Sequence, residues 1–114
     1  MDILKILQVI FLVLTAATGA LSFVKPDAVY GFTGLTAAGA RGVSEVRAVL
    51  GGLFIGLGVA PLVLNVPAAY RTVGIGYLAI AGARVISLVL DQSFTASNLI
   101  SLAFEIIAGV VLVL

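Results

Sequence analysis

Four long apolar runs make up most of this chain, and they limit the folds that are open to it. They cover approximately residues 3–24, 44–64, 69–90 and 96–114. A helix needs about 20 apolar residues to cross the hydrocarbon core of a bilayer, and each run reaches or nearly reaches that length. The sequence therefore predicts a single all-α domain: an integral membrane antiparallel four-helix bundle with a short interfacial segment between helices 1 and 2.

The composition supports a membrane environment. Of the 114 residues, 62% are hydrophobic and 10% are charged, whereas soluble domains average about 25% charged residues. The formal net charge of +1 does not favour nucleic acid binding, which needs clustered lysine and arginine. Histidine and cysteine are absent from the sequence, so imidazole and thiol chemistry and the usual zinc or haem ligands are excluded. We expect no metal and no cofactor.

The first apolar run has two interpretations. Lys5 precedes an apolar core and Ala20 follows small residues, as in a cleavable signal peptide. However, the run continues to Val24 without a polar cleavage region, which favours a membrane span. The lysines and arginines on the two sides of the predicted spans nearly balance, so they do not define the membrane orientation.

Residues 25–43 form the longest connection between the predicted spans. Pro26 suits the first position of a helix and Asp27 suits its first turn, so we expect a short interfacial helix through Tyr30. This connection is either an anchoring loop or a substrate lid. The lid is an alternative because loops often carry function.

Small residues recur at every fourth position of the second run. Ser44 is a candidate N-cap for this helix, and Glu45 suits its first turn. The recurring small residues are Ala48, Gly52, Gly56 and Ala60. On a helix they form one strip without side-chain bulk, and helices in lipid associate through such faces because their backbones can approach closely. We therefore expect this strip to mediate helix packing.

Two charged residues lie well inside the predicted spans. Arg84 precedes Asp91, at the end of the third span, by seven positions, and Glu105 follows the next turn by about nine. In an antiparallel hairpin these offsets place both side chains at a similar depth, roughly 10 Å from the turn. A lone charge there costs at least ~2–3 kcal/mol on insertion scales, so we expect Arg84 and Glu105 to pair.

Other polar residues are expected near this pair. Ser87 and Asp91 share a helix face with Arg84. Asn98 and Ser101 share one with Glu105. Two charges at the start of the second span enter from the same membrane side. The predicted polar cluster consists of Glu45, Arg47, Arg84 and Glu105, with Ser87 and Ser101. It is either an ion-pair network that fixes helix register or a polar floor for a small ligand, lipid headgroup, quinone or proton.

Two signals for enzymatic function do not hold. Residues 74–79 match the G-x-G-x-x-A form of a dinucleotide fingerprint, but they lie in an apolar span and no strand precedes them. Without histidine, no serine can be activated as in a catalytic triad. We therefore expect a protein that is not an enzyme.

Two stretches of the chain resemble a known group of proteins. They are residues 45–58 (EVRAVLGGLFIGLG) and residues 82–87 (GARVIS), and a glutamate follows in the last span. Together they look like a family of small bacterial four-helix membrane proteins of unknown function, akin to the DoxX-like superfamily. The resemblance covers nearly the whole chain, and its characteristic positions match here as Glu45, Arg47, Arg84 and Glu105.

The resemblance implies a compact four-helix bundle in the bacterial inner membrane. DoxX-like relatives have been linked to quinone-coupled redox complexes and to oxidative-stress assemblies, usually as partner subunits. The cysteines associated with redox-active relatives are missing from this sequence, so the resemblance does not extend to direct thiol chemistry.

These observations favour a non-enzymatic structural or accessory subunit that packs through Gly-rich helix faces. The alternative is a binder or carrier of a hydrophobic small molecule such as a quinone or lipid, with Arg84 and Glu105 contacting its polar head. The expected partners are membrane lipids, other membrane subunits or a second copy of the chain, and a quinone or lipid ligand in the alternative. No nucleic acid partner is expected.

Overall fold

The computed structural model describes residues 2–114, and this part of the chain is all-α, as predicted. Within it, four helical stretches are long and apolar enough to cross a membrane: Ile3–Val24, Gly39–Leu64, Pro67–Leu90 and Ala96–Val113. Many of their large apolar side chains are exposed, including Val63 at 73% and Ile100 at 70%. Exposed apolar surface of this kind marks contact with lipid or with other proteins. The helices therefore indicate a multi-pass membrane protein.

The helical elements follow one another with short connections. In chain order they are α1 (Ile3–Val24), a 3₁₀ turn (Pro26–Ala28), α2 (Val29–Thr33), α3 (Gly39–Glu45), a π-helical segment (Val46–Leu53), α4 (Phe54–Leu64), α5 (Pro67–Leu90) and α6 (Ala96–Val113). The elements from α3 to α4 form one uninterrupted helical stretch, which we call the second span.

The ends of three long helices lie close to their predicted positions. α1 begins and ends where the apolar run does. α5 begins two residues earlier than predicted, because Pro67 occupies its first position after an extended Val66. Proline is favoured there since the N–H that it lacks would have no partner within the helix. α6 begins as predicted and ends at Val113.

The prediction that Ser44 caps the second span was wrong. The helix already begins at Gly39, after an extended Ala38, so Ser44 lies inside it. Gly39 has a φ of +70°, a left-handed conformation that glycine adopts readily. A glycine thus marks the helix start that we expected from a serine cap. Glu45 pairs with Arg41 one turn earlier in the same helix.

The connection between α1 and the second span contains more helix than predicted. Pro26 begins a helical turn, as expected, but the helix continues past Tyr30 to Thr33. It ends at Gly34, whose φ is +76° and whose N–H donates to the Tyr30 carbonyl at 2.9 Å. The Thr33 hydroxyl also accepts from the Leu35 N–H at 3.0 Å. The segment is therefore ordered by its own hydrogen bonds.

The chain divides into two compact units, and each is described separately. One unit, Val9–Leu64, contains most of α1 and the second span. The other contains the N-terminal residues through Gln8 together with Asn65–Leu114, and we call it the hairpin unit because α5 and α6 dominate it.

In the Val9–Leu64 unit, α1 and the second span pack backbone against backbone. A Cβ atom added at Gly58 would lie 2.5 Å from the Leu12 carbonyl oxygen, and one at Gly19 would lie 2.7 Å from both the Gly51 oxygen and the Ile55 nitrogen. Only glycine fits such close approaches. Residue numbers fall along α1 as they rise along the second span, so these two helices are antiparallel.

The strip that we expected to mediate helix packing does not form the contact with α1. All four of its residues are exposed: Ala48, Gly52, Gly56 and Ala60. A Cβ atom at Gly56 would meet nothing within 4 Å. The contact with α1 uses Gly51 and Gly58 instead, because α1 presents Gly19 and Ala16 opposite them. A close approach needs small residues on both helices, and the spacing within one helix does not show which of its faces meets them.

In the hairpin unit, α5 and α6 also meet through glycines. A Cβ atom at Gly74 would lie 2.9 Å from the Leu112 Cβ and 3.0 Å from the Gly109 carbonyl oxygen. Around this contact, the rings of Tyr77 and Phe104 meet edge to face with their centroids 5.9 Å apart. Because α5 and α6 approach each other closely, side chains farther along the two helices lie within hydrogen-bonding distance of each other.

Candidate functional site: a buried Arg–Glu pair in the hairpin unit

Arg84 of α5 and Glu105 of α6 form a two-pronged ion pair. Arg84 Nε donates to Glu105 Oε1 at 2.8 Å, and Arg84 Nη2 donates to Glu105 Oε2 at 2.6 Å. Two parallel N–H···O bonds make this the strongest geometry for an arginine and a carboxylate. The pairing of Arg84 and Glu105 that the helix offsets predicted is therefore confirmed.

Asn98 extends the pair toward the start of α6. Its Oδ1 accepts from Arg84 Nη1 at 2.6 Å, and its Nδ2 donates to the Ser93 carbonyl at 2.9 Å. The backbone N–H of Asn98 in turn donates to the hydroxyl of Thr95, which caps α6. Asn98 lies on the helix face of Glu105, as the spacing predicted, but it was not included in the predicted cluster.

The two serines of the predicted cluster are not hydrogen-bonded to the ion pair. Ser87 donates through Oγ to Asp91 Oδ2 at 2.6 Å, so it stabilises the C-terminal end of α5. Ser101 is half-buried on α6. Among residues 2–114, no hydrogen bond joins Ser101 to Arg84 or Glu105.

Glu45 and Arg47 make their hydrogen bonds within the Val9–Leu64 unit. Glu45 Oε1 accepts from Arg41 Nη1 at 3.1 Å in an exposed pair, and such pairs contribute little to stability. Arg47 donates through Nη1 to the Phe23 carbonyl, and its guanidinium carbon lies 5.7 Å from the centre of the Phe23 ring. The cluster of four charged residues stays a prediction.

The ion pair is well shielded and fully bonded. The side chain of Glu105 is 9% exposed and that of Arg84 is 29% exposed. Within the described part of the chain, every buried side-chain nitrogen or oxygen has a hydrogen-bond partner, and no three acidic residues group as they would around a metal ion. The arrangement balances two opposite charges and joins two helices, and it presents no activated nucleophile.

A second feature, which the sequence did not predict, is a hollow beside Arg47. Its volume is about 500 Å³. Its lining is mainly apolar and consists of Phe23, Ala40, Val43, Ser44, Arg47, Ala48 and Gly52. Part of the lining comes from the π-helical segment, and π-helical turns occur frequently at functional sites. Arg47 contributes a cation to this mainly apolar lining.

Four long apolar helices and a buried arginine–glutamate pair define a multi-pass membrane protein with a polar cluster between two of its helices. The chain belongs to the family described as a domain of unknown function (DUF4345), whose model matches residues 3–114. No curated protein and no solved structure matches it. The match agrees with the expected membership of a family of unknown function, and it attaches no activity to the chain.

Proposed function

We propose that this protein is a non-enzymatic structural or accessory subunit of a membrane assembly. The observation that carries the proposal is the exposed strip Ala48, Gly52, Gly56 and Ala60, which is free of bulk and meets no other helix at Gly56. In lipid, helices associate through small residues because the gain comes from close packing. The strip therefore suits a helix of another membrane subunit or of a second copy of the chain.

The Arg84–Glu105–Asn98 network supports a structural role for the polar cluster. Both carboxylate oxygens of Glu105 and three nitrogens of Arg84 already have partners inside the protein. A ligand head group would have to break these bonds before it could form its own. We therefore assign the network to fixing the register of α5 against α6 within an antiparallel four-helix bundle.

We also propose the setting in which this subunit acts. It is a multi-pass protein of the bacterial inner membrane, related to the DoxX-like superfamily. The resemblance of residues 45–58 and 82–87 supports this affiliation. DoxX-like relatives usually act as partner subunits, which agrees with an accessory role.

Native mass spectrometry of the protein in its own membrane lipids tests the accessory role. We expect the wild-type chain to be released together with a second chain, and Gly56→Leu to be released alone because leucine fills the strip. Gly76→Leu is the matched control, since Gly76 is another exposed helical glycine with open space around it. A wild-type chain that is always released alone contradicts the proposal, as does equal loss of association in both variants.

A second candidate function is the binding or carriage of a hydrophobic molecule with a polar head, such as a quinone or lipid. The hollow beside Arg47 favours it, because the hollow combines an apolar lining with one cation. Arg84 and Glu105, which the alternative interpretation assigned to the head group, bind each other. A small molecule that is retained by the wild type and by Arg41→Gln, but lost from Arg47→Gln, would identify this function.

A further inference from the structure

A cavity of about 320 Å³ lies in the hairpin unit, away from the Arg84–Glu105 pair. It is bordered by the first turn of α1, the turn before α5, the first turn of α5 and the end of α6. The polar residues that line it are Asp2, Lys5, Gln8, Asn65, Tyr70 and Arg71. The volume lies at the small end of the range for ligand pockets, about 300–1,000 Å³.

Lys5 is held in place at this cavity by two partners. Its Nζ donates to Tyr70 Oη at 2.6 Å and to Asn65 Oδ1 at 3.2 Å. An ammonium group has three N–H donors, so one remains for a further acceptor. The Tyr70 hydroxyl accepts from Lys5 and keeps its own O–H for donation. Tyr70 is only 4% exposed, so its position is set by packing.

Arg71 brings a second cation to the cavity. It lies near the start of α5 and is exposed. Within residues 2–114 it forms no hydrogen bond or ion pair, so its five N–H donors are available. No side chain caps the start of α5 next to it, and an uncapped helix start also attracts negative charge.

The side chains that line the cavity carry a net positive charge, which favours an anion. Lys5 and Arg71 contribute two positive charges and Asp2 contributes one negative charge. The Asp2 carboxylate is already directed at the backbone of α1, where Oδ1 accepts from the Lys5 N–H at 2.8 Å. The Lys5 ammonium group and the Arg71 guanidinium group therefore have N–H donors that no acceptor in the described part of the chain satisfies.

We propose that this cavity binds a phosphate group, as found in the headgroup of an anionic phospholipid. Phosphate oxygens are strong acceptors for lysine and arginine donors. The cavity lies where apolar helices begin and end, and in a membrane-spanning chain this is the level of the lipid headgroups. Basic pockets between membrane helices bind such headgroups. Free phosphate shares the chemistry and is the other source of the ligand.

The test is native mass spectrometry of the full chain in detergent, titrated separately with phosphatidylglycerol and phosphatidylcholine. We expect tighter binding of phosphatidylglycerol, weakened about tenfold in Arg71→Gln and in Lys5→Gln through loss of a charge-assisted hydrogen bond. Arg41→Gln and Lys25→Gln are the matched controls, because both residues are exposed cations that do not line the cavity. These controls should bind as the wild type does.

A second arm with inorganic phosphate distinguishes the two sources. Displacement of phosphatidylglycerol by phosphate, dependent on Arg71, shows that the free anion also occupies the cavity. Lipid binding that depends on Arg71 but resists phosphate shows that the headgroup is the ligand. The proposal is overturned if Arg71→Gln and Lys5→Gln bind both ligands as the controls do. Because Arg71 is exposed, we expect its substitution to leave the fold intact.

Discussion

At Arg84, three nitrogens of one guanidinium are bonded to two residues of α6, Glu105 and Asn98. Removing two charges from water carries a large free energy penalty, which good geometry and further hydrogen bonds offset. The loss of stability should therefore be greatest when only one partner of the ion pair is replaced. A single substitution leaves the remaining charge shielded from water and without its partner.

Replacing the arginine alone should weaken the fold. In Arg84→Met, the buried Glu105 carboxylate loses its counter-charge, and we expect the free energy of unfolding to fall by about 3–5 kcal/mol. Denaturant unfolding of the purified protein in mixed micelles, followed by circular dichroism, measures this change. The double variant Arg84→Met, Glu105→Met should recover most of it, because apolar residues of similar volume replace such pairs at little cost. An Arg84→Met protein as stable as the wild type would contradict a structural role for the pair.

Asn98 should contribute separately from the carboxylate. In Asn98→Ala, Arg84 Nη1 loses its acceptor, and we expect the free energy of unfolding to fall by about 1.5–3 kcal/mol, as for hydrogen bonds to charged groups. The same micelle unfolding assay applies. Ser101→Ala is the control in the same helix, and it should change stability little because Ser101 is not bonded to the pair. Equal effects of the two substitutions would count against the network.

The sequence predicts one part of this site well and another poorly. The pairing of Arg84 with Glu105 follows from helical rise and from the penalty for a lone charge in an apolar span. The role of Asn98 depends on which rotamer of Arg84 forms, and the spacing does not contain that information. Ser87 donates its hydrogen bond to Asp91, the C-cap residue of its own helix, and not to the ion pair.

Among the helices, the second span carries glycines on two different sides. Gly51 and Gly58 contact α1, whereas Gly52 and Gly56 have open space beside them or nearly so. Neighbouring positions in a helix differ by about 100° around its axis, so the two pairs serve different surfaces. Which of them meets α1 depends on Gly19 and on other small residues of that helix. A pattern within one helix therefore does not select the contact.

The two sides should respond differently to a single methyl group. In Gly58→Ala, the new Cβ would overlap the Leu12 carbonyl oxygen, and we expect overpacking to reduce the free energy of unfolding by about 1–3 kcal/mol. In Gly56→Ala, nothing is near the new methyl group, and better helix propensity should preserve or slightly raise stability. Thermal unfolding in detergent compares the two. Equal destabilisation would show that the exposed strip is packed within the chain.

For the whole molecule, the sequence identifies the number and approximate ends of the long helices. Pro26 and Pro67 mark helix starts through their restricted backbone, and the apolar runs define the rest. The cavity at Lys5 could not be predicted in this way. Its hydrogen bonds join Lys5 to Asn65, which is 60 positions later in the chain, and to Tyr70, which is 65 positions later. The cavity forms only when the fold brings the start of α1 next to the start of α5.

Four spans would place the alternate connections on opposite sides of the membrane. The sequence contains no cysteine, so single-cysteine variants can be labelled with a membrane-impermeant thiol reagent in intact cells and in inverted vesicles. We expect Leu35→Cys and Gln92→Cys to be labelled from one side and Val66→Cys from the other. All three positions are exposed in connections between helices. Labelling of all three from one side would contradict four spans.

The π-helical segment Val46–Leu53 has a consequence for how sequence length can vary among relatives. In an α-helix, deletion of one residue turns everything beyond it by about 100°, which removes the following helix from its contacts. A π-helical turn contains more residues than an α-helical turn, because its hydrogen bonds reach one residue farther. A relative one residue shorter here can therefore keep α3 and α4 in place by adopting α-helical hydrogen bonds. We expect length differences within this span to concentrate in these eight positions.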